Sequence, residues 1–254
     1  YIAPQLWAWN EKRIKEIKKY INSLYVILPF EKEFFESKHN YPVKFLGHPL
    51  TDSIYNFKTN NTSPNKLITT DKKPIIAILP GSRKQEIKKI LNTVIETVEY
   101  FKEYQFIVAG APNIELSYYI SIIKNKKIKV IENKTYELLS VSYAAIVTSG
   151  TATLETALFK VPQVVCYKSS YFSFVIAKLI VNIKYISLVN LIMDQEIVKE
   201  LIQHDCNKNK ITKELKKILD LNHRKSLKVK YDELTSILGN FGTSKRVALD
   251  IITK

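Results

Sequence analysis

The chain has 254 residues with Lys+Arg 39 against Asp+Glu 24, a formal net charge of +15. That length holds one large or two modest domains with a sizeable core, and a hydrophobic content of 46% with 11% aromatic residues excludes a disordered chain, which lacks the apolar groups that offset ordering entropy. Six glycines and nine prolines exclude collagen-like and low-complexity classes, and two cysteines, Cys166 and Cys206, without metal-ligand spacing exclude a disulfide framework and point to a reducing compartment.

In chain order, Tyr1-Ile2-Ala3-Pro4 reads as a strand. The sequence starts at Tyr1 and has a single methionine, Met193, so it is expected to be the carboxy-terminal portion of a longer protein; a processed mature chain is the alternative. Short apolar runs rich in β-branched residues predict strands at 24–28, 43–46, 75–79, 106–109, 129–131, 144–148, 164–167 and 185–188. Helical patterns lie between them, the clearest being Ile87, Ile90, Leu91, Val94, Val98 and Phe101 at three- to four-residue spacing. Such alternation means βαβ units and a doubly wound parallel sheet, so the fold class is α/β. A polar stretch without apolar period separates residues 1–52, the end of one α/β domain, from a second domain at 74–238, with 53–73 as linker. After residue 190 the pattern is helical at 195–203, 210–219, 224–238 and 244–252, and the segment 239–254 is expected to pack back on the first domain.

The tail is basic, with twelve Lys/Arg against five Asp/Glu from Lys208 to Lys254. No nucleic-acid module accompanies that charge. An anionic membrane surface, which attracts Lys/Arg, suits it better, and ordinary solvated helix faces are the plain alternative. The longest apolar runs fall far short of the ~20 residues that span a bilayer.

Two turns carry chemistry. Strand 75–79 runs into Pro80-Gly81-Ser82-Arg83 and then a helix. Free backbone N–H groups and the positive end of a helix dipole make such a turn an anion site, and Arg83 adds a planar cation suited to phosphate; a simple tight turn is the alternative. Strand 144–148 ends in Ser149-Gly150-Thr151-Ala152-Thr153-Leu154-Glu155. Here a diphosphate can approach the backbone while Ser149, Thr151 and Thr153 offer hydroxyls, and Glu155, one turn in, is placed to accept hydrogen bonds from a ribose diol. The alternative is a capping box closing an ordinary helix. Gly-x-Gly-x-x-Gly and Gly-x-x-x-x-Gly-Lys-Ser/Thr are absent, which argues against a dinucleotide fold and a P-loop, and leaves a nucleotide-diphosphate sugar. There is no Gly-x-Ser-x-Gly elbow; His48 and Asp52 stand as acid–base candidates beside the plainer reading of a backbone-bonded histidine.

Segments 1–9 (Tyr-Ile-Ala-Pro-Gln-Leu-Trp-Ala-Trp), 28–32 (Leu-Pro-Phe-Glu-Lys), 45–52 (Phe-Leu-Gly-His-Pro-Leu-Thr-Asp), 79–83 (Leu-Pro-Gly-Ser-Arg), 149–155 and 185–192 (Tyr-Ile-Ser-Leu-Val-Asn-Leu-Ile) follow in one order. In that order the chain resembles the lipid-A-disaccharide synthase family over essentially its whole length. The resemblance implies an inverting, metal-independent glycosyltransferase of the two-Rossmann-domain B type that needs no cofactor. It implies transfer from UDP-2,3-diacylglucosamine to 2,3-diacylglucosamine 1-phosphate, forming the β-1,6-linked lipid A disaccharide precursor and UDP. It also implies peripheral attachment to the anionic cytoplasmic face of the Gram-negative inner membrane, no nucleic-acid partner, and leaves a homodimer open. By the family pattern Gly81, Ser82, Arg83, Ser149, Gly150, Thr151, Thr153, Glu155 and Asn190 bind the UDP half of the donor, with Glu200 and Gln203 as weaker candidates. Arg83 stabilises the leaving phosphate, and the general base lies upstream of Tyr1. Two departures from the pattern are Val189, where the family has proline, and Lys199 before Glu200-Leu201-Ile202-Gln203. Another UDP-N-acetylglucosamine-dependent B-type transferase or epimerase, or a basic membrane-binding module, are the competing readings.

Overall fold

The computed structural model describes residues 1–60, 72–124, 128–168 and 184–253. Its chain folds into two units, the first holding residues 1–59, 184 and 233–253 and the second residues 60, 72–124, 128–168 and 185–232.

In the first unit, helices α1 (Leu6–Trp9) and α2 (Ile14–Tyr20) precede strand β1 (Tyr25–Val26), helix α3 (Pro29–Glu33), strand β2 (Lys44–Phe45) and helix α4 (Leu50–Asn60). The two strands pair in parallel, Tyr25 opposite Lys44, over a core of Ala3, Leu6, Ile14, Ile17, Leu24, Val26, Phe35 and Val43. Two expectations are corrected here. Tyr1–Pro4 is not a strand but irregular backbone, whose Ala3 N–H donates to the Tyr25 carbonyl of β1 (3.2 Å). Residues 53–60, expected as linker, continue α4, because Ile54 recurs on the buried side of the turn that begins at Thr51; residues 61–71 lie outside the described residues.

The sequence segments that stood out in this unit prove to be architectural. Glu31, buried in the first turn of α3, accepts hydrogen bonds from the backbone N–H groups of Ile27 and Leu28 (3.1 and 2.9 Å) and from Trp7 Nε1 (3.0 Å). Burial raises its pKa and these donors counter the shift. Gly47, at φ 111°, lies where a Cβ would come within 2.4 Å of Thr243 Oγ1, so no side chain fits. Asp52 accepts from the N–H groups of Gly242 (2.6 Å), Thr243 (3.1 Å) and Ser244 (2.7 Å), the start of the terminal helix Thr243–Ile252. Further along that helix, Asp250 accepts from Tyr25 Oη (2.5 Å) and pairs with Lys44 Nζ (2.7 Å).

His48 is 4% exposed, its Nδ1 accepts the Leu50 N–H (3.1 Å), and its own N–H donates to the Leu238 carbonyl (2.9 Å). Burial lowers its pKa from 6.5 to about 4, which makes it a neutral packing group at neutral pH. The unfolded chain takes up this proton near pH 6.5 and the folded one only near pH 4, so the stabilisation present above pH 6.5 is lost as pH falls through that window. We expect the first unit to lose about 3 kcal/mol from this group. Both tryptophans, Trp7 and Trp9, lie in this unit, so urea titrations followed by tryptophan fluorescence at pH 7 and 4.5 read it; a slope unchanged by His48→Gln would contradict the assignment.

The second unit is a six-stranded parallel sheet of β3 (Ile75–Leu79), β4 (Gln105–Gly110), β5 (Ile128–Glu132), β6 (Ser142–Thr148), β7 (Gln163–Tyr167) and β8 (Lys199–Ile202), in the order β5-β4-β3-β6-β7-β8. Its helices are α5 (Lys84–Val98), α6 (Leu116–Ile123), α7 (Thr135–Val141), α8 (Thr151–Leu158), α9 (Leu188–Met193), α10 (Lys208–Leu219) and α11 (Leu221–Leu238), the last running on into the first unit. Strand periodicity sorts the core into two faces. Ile76, Ile78, Phe106 and Val108 meet Ile87, Ile90, Leu91 and Val94 of α5, Tyr119 of α6 and Ile211, Leu215 and Ile218 of α10. Ile75, Ala77, Leu79, Ile107 and Ala109 meet Leu138 and Leu139 of α7 on the other face. Both faces are therefore covered, the arrangement that apolar runs such as Ile-Ile-Ala-Ile-Leu require.

Two sequence expectations fail at the sheet edge. Tyr185–Leu188 is not a strand: Ser187 caps α9, its side chain accepting from the Asn190 N–H. The helix expected at 195–203 is absent: residues 195–198 are irregular and Lys199–Ile202 form β8, with Lys199 opposite Val164 and Leu201 opposite Cys166.

Candidate functional site

Strand order reverses between β3 and β6, and ligands of open α/β sheets bind beyond the carboxyl ends of the strands at such a point. A cavity of about 390 Å³ opens there, within the range of nucleotide-sized pockets. Its walls are the turn after β3 (Leu79–Arg83) with Glu86, the turn after β4 (Ala109–Pro112), Thr135 at the start of α7, and the end of β6 with the start of α8 (Thr148–Ala152, Glu155).

The two sequence-predicted turns meet in this cavity. Helix α5 starts after Arg83 and α8 after Gly150, and neither N-cap position carries a side-chain cap. The capping-box alternative is thus excluded, and first-turn N–H groups of both helices are left for a bound anion. Gly81 lies at φ 103°, a backbone conformation that side-chain-bearing residues rarely adopt, so the turn favours glycine. Arg83 is exposed and pairs with Glu86 (3.2 Å), a cation that an incoming phosphate can recruit.

Gly81, Ser82, Arg83, Ser149, Gly150, Thr151 and Glu155 line the cavity together. The hydroxyl of Ser149 donates to the Ile186 carbonyl (2.7 Å), which ties the turn to the segment before α9. Thr153 is fully buried and donates to the Gly150 carbonyl (2.8 Å), holding the turn rather than lining the cavity. Asn190, Glu200 and Gln203 are also not wall residues. The Asn190 amide is taken up by Val198, Ile197 and Glu200 (2.8–3.0 Å). Glu200 accepts from the N–H groups of Ile186 and Ser187 and from Ser187 Oγ (2.7–2.9 Å), stapling the segment before α9 to β8. Gln203 opens a short helical turn after β8.

Glu155 lines the cavity and is half-buried. Burial raises its pKa, countered in part by the hydrogen bond from Tyr136 Oη (3.0 Å), and Tyr136 packs on Phe159 with ring centroids 5.3 Å apart. Sequence reading missed Tyr136, Thr135, Glu86, Thr148 and the turn Gly110-Ala111-Pro112. The last was legible by the rule that found the other two, small residues at the carboxyl end of a strand; Tyr136 carried no local signal.

A family described as lipid-A-disaccharide synthetase matches residues 1–249. The chain belongs to that family. A lipid-A-disaccharide synthase from Coxiella burnetii (strain Dugway 5J108-111) is 35% identical over 253 residues, covering 98% of this chain and 67% of its own length. The chain thus spans about two thirds of that relative. Its fold is also that of UDP-GlcNAc 2-epimerase from Neisseria meningitidis bound to UDP-GlcNAc (TM-score 0.64, 14% identity, 100% of this chain and 68% of the other). A glycosyltransferase involved in lipopolysaccharide biosynthesis shares it as well (TM-score 0.53, 12% identity, 91% and 62%). At these identities the likeness shows the fold alone, that of B-type glycosyltransferases and epimerases. Membership of the lipid-A-disaccharide synthetase family, by contrast, marks the chain as glycosyltransferase sequence.

Proposed function

We propose that this chain is the donor-binding part of lipid-A-disaccharide synthase, and that the cavity between β3 and β6 seats the UDP of UDP-2,3-diacylglucosamine. The observation that carries the reading is the convergence of two uncapped helix starts on one cavity that is also lined by a half-buried carboxylate, Glu155. The N–H groups after Gly81 and Gly150 take the diphosphate, and Glu155 accepts from the ribose hydroxyls.

In an inverting transfer to 2,3-diacylglucosamine 1-phosphate, negative charge builds on the departing diphosphate as the sugar leaves. Donors fixed at the turns stabilise that charge without reorganising, and Arg83 adds a cation once phosphate draws it from Glu86. The base that takes the proton from the acceptor hydroxyl is assigned to no residue of this chain. The acyl chains of both substrates and the charge of +15 favour work at an anionic membrane surface, the cytoplasmic face of the inner membrane, as a peripheral protein. No helix among the described residues is long and apolar enough to cross a membrane.

Calorimetry with UDP tests the site. Binding is expected for the unaltered chain, weakened about tenfold by Arg83→Ala and by Glu155→Ala, as the loss of one charge-assisted contact implies. Binding unaffected by both substitutions would overturn the assignment.

A further inference from the structure

The turn after β3 carries an anion of its own. Glu86, in the first turn of α5, lines the cavity. Its Oε1 accepts from Arg83 Nη1 (3.2 Å), and its Oε2 lies 3.1 Å from where a Gly81 Cβ would stand, so the carboxylate rests against both Arg83 and the turn. Among the described residues the pair with Arg83 is its one ion pair or side-chain hydrogen bond. Two attractions hold it there, the guanidinium and the positive end of the α5 dipole. Both are also what would draw a phosphate to this turn.

The main chain of the turn is braced while the guanidinium is not. The Ser82 carbonyl accepts from Asn113 Nδ2 (3.3 Å) and the Lys84 carbonyl from Tyr118 Oη (2.8 Å), which fixes the backbone on either side of Arg83. The Arg83 side chain is 81% exposed against 20% for Glu86, so the arginine is the partner free to swing. An ion pair this exposed on one side is weak. A ligand with several negative charges can therefore take the cation without moving the turn.

We propose that Glu86 is a resident competitor of the diphosphate, holding Arg83 until phosphate takes it and reclaiming it as UDP leaves. The proposal rests on the nucleotide-binding reading above and adds to it a residue that sets how tightly the product is held. Glu86 acts through Arg83, so it is a positioning residue whose removal strengthens binding, the opposite of what a contact residue does.

The test is calorimetry of the full chain with uridine, UMP and UDP. Glu86→Gln, which keeps the size and removes the charge, is expected to bind UDP about three- to tenfold tighter. The gain should be smaller for UMP and absent for uridine, which has no phosphate to compete, whereas a merely structural Glu86 would shift all three ligands alike. In an Arg83→Ala background, Glu86→Gln should gain less than it does with Arg83 present, because no cation is left to contest. UDP affinity unchanged or weakened in Glu86→Gln, an equal gain for uridine, or an equal gain with and without Arg83 overturns the competitor role and leaves the nucleotide reading standing. An unaltered chain that binds no UDP overturns both. If Glu86→Gln does not fold, Glu86→Ala gives the same comparison across the three ligands.

Discussion

Asp52→Ala is expected to lower the stability of the first unit by about 3 kcal/mol. Three successive N–H groups at the start of the terminal helix, those of Gly242, Thr243 and Ser244, all donate to this one carboxylate. Each would otherwise lack an intrahelical partner, and the negative charge also faces the positive end of the helix dipole. Burial pushes the Asp52 pKa up, but the donors from Ser244, Gly242 and Thr243 outweigh it and hold the value below the ordinary one. The charged form is thus favoured by folding, so its stabilisation is present above the usual aspartate range and is lost as acid protonates it. Asp52→Asn keeps acceptors but not the charge and should lose about half as much. Urea unfolding followed by tryptophan fluorescence measures both. A loss below about 1 kcal/mol for Asp52→Ala would mean that water replaces the carboxylate at no penalty.

That role was not visible in the sequence, where Asp52 and His48 stood as acid–base candidates near the expected linker. What decides between chemistry and architecture is the partner, and the partners of Asp52 lie about 190 positions away. Trp7 and Glu31 teach the same lesson. Both belong to segments distinctive enough to carry a family resemblance, yet their bond to each other serves to fix the start of α3.

The sheet of the second unit was easier to read. Strands buried on both faces appear as unbroken β-branched runs, so Ile75–Leu79 is found at its expected bounds. The turns after it and after β6 follow from the residues that a helix start and a bound anion jointly require. Legibility falls toward the edge at β8. Lys-Glu-Leu-Ile buries only Leu201 fully, and its alternation over four residues is too short to compete with the helical spacing that surrounds it. Glu200 and Asn190 are then drawn together by strand pairing, and the bonds they make within that corner could be read only from the fold.

Glu155→Gln is expected to move stability and affinity in opposite directions, with a pH signature that separates the two. Burial raises the Glu155 pKa, so the folded protein resists ionising a group that the unfolded chain ionises readily. Its contribution is most favourable at acid pH, declines as pH rises past the ordinary glutamate value, and levels off above the raised one. A neutral amide at this position carries no such penalty, so the variant should be the more stable of the two in ligand-free melts at pH 8 and show no advantage at pH 4. Ribose hydroxyls donate more strongly to a carboxylate than to an amide, and the variant should bind UDP more weakly, by about three- to tenfold. The loss should shrink for 2′-deoxy-UDP, which has one donor fewer to offer. Tyr136→Phe extends the comparison, since it removes the donor that holds one Glu155 oxygen at 3.0 Å and leaves the carboxylate in place. It should raise the Glu155 pKa further and carry the acid limb of the UDP affinity profile to higher pH, with the limb absent from Glu155→Gln. If Glu155→Gln preserves the preference for UDP over 2′-deoxy-UDP, the carboxylate does not read the ribose, and the diphosphate turns alone hold the nucleotide.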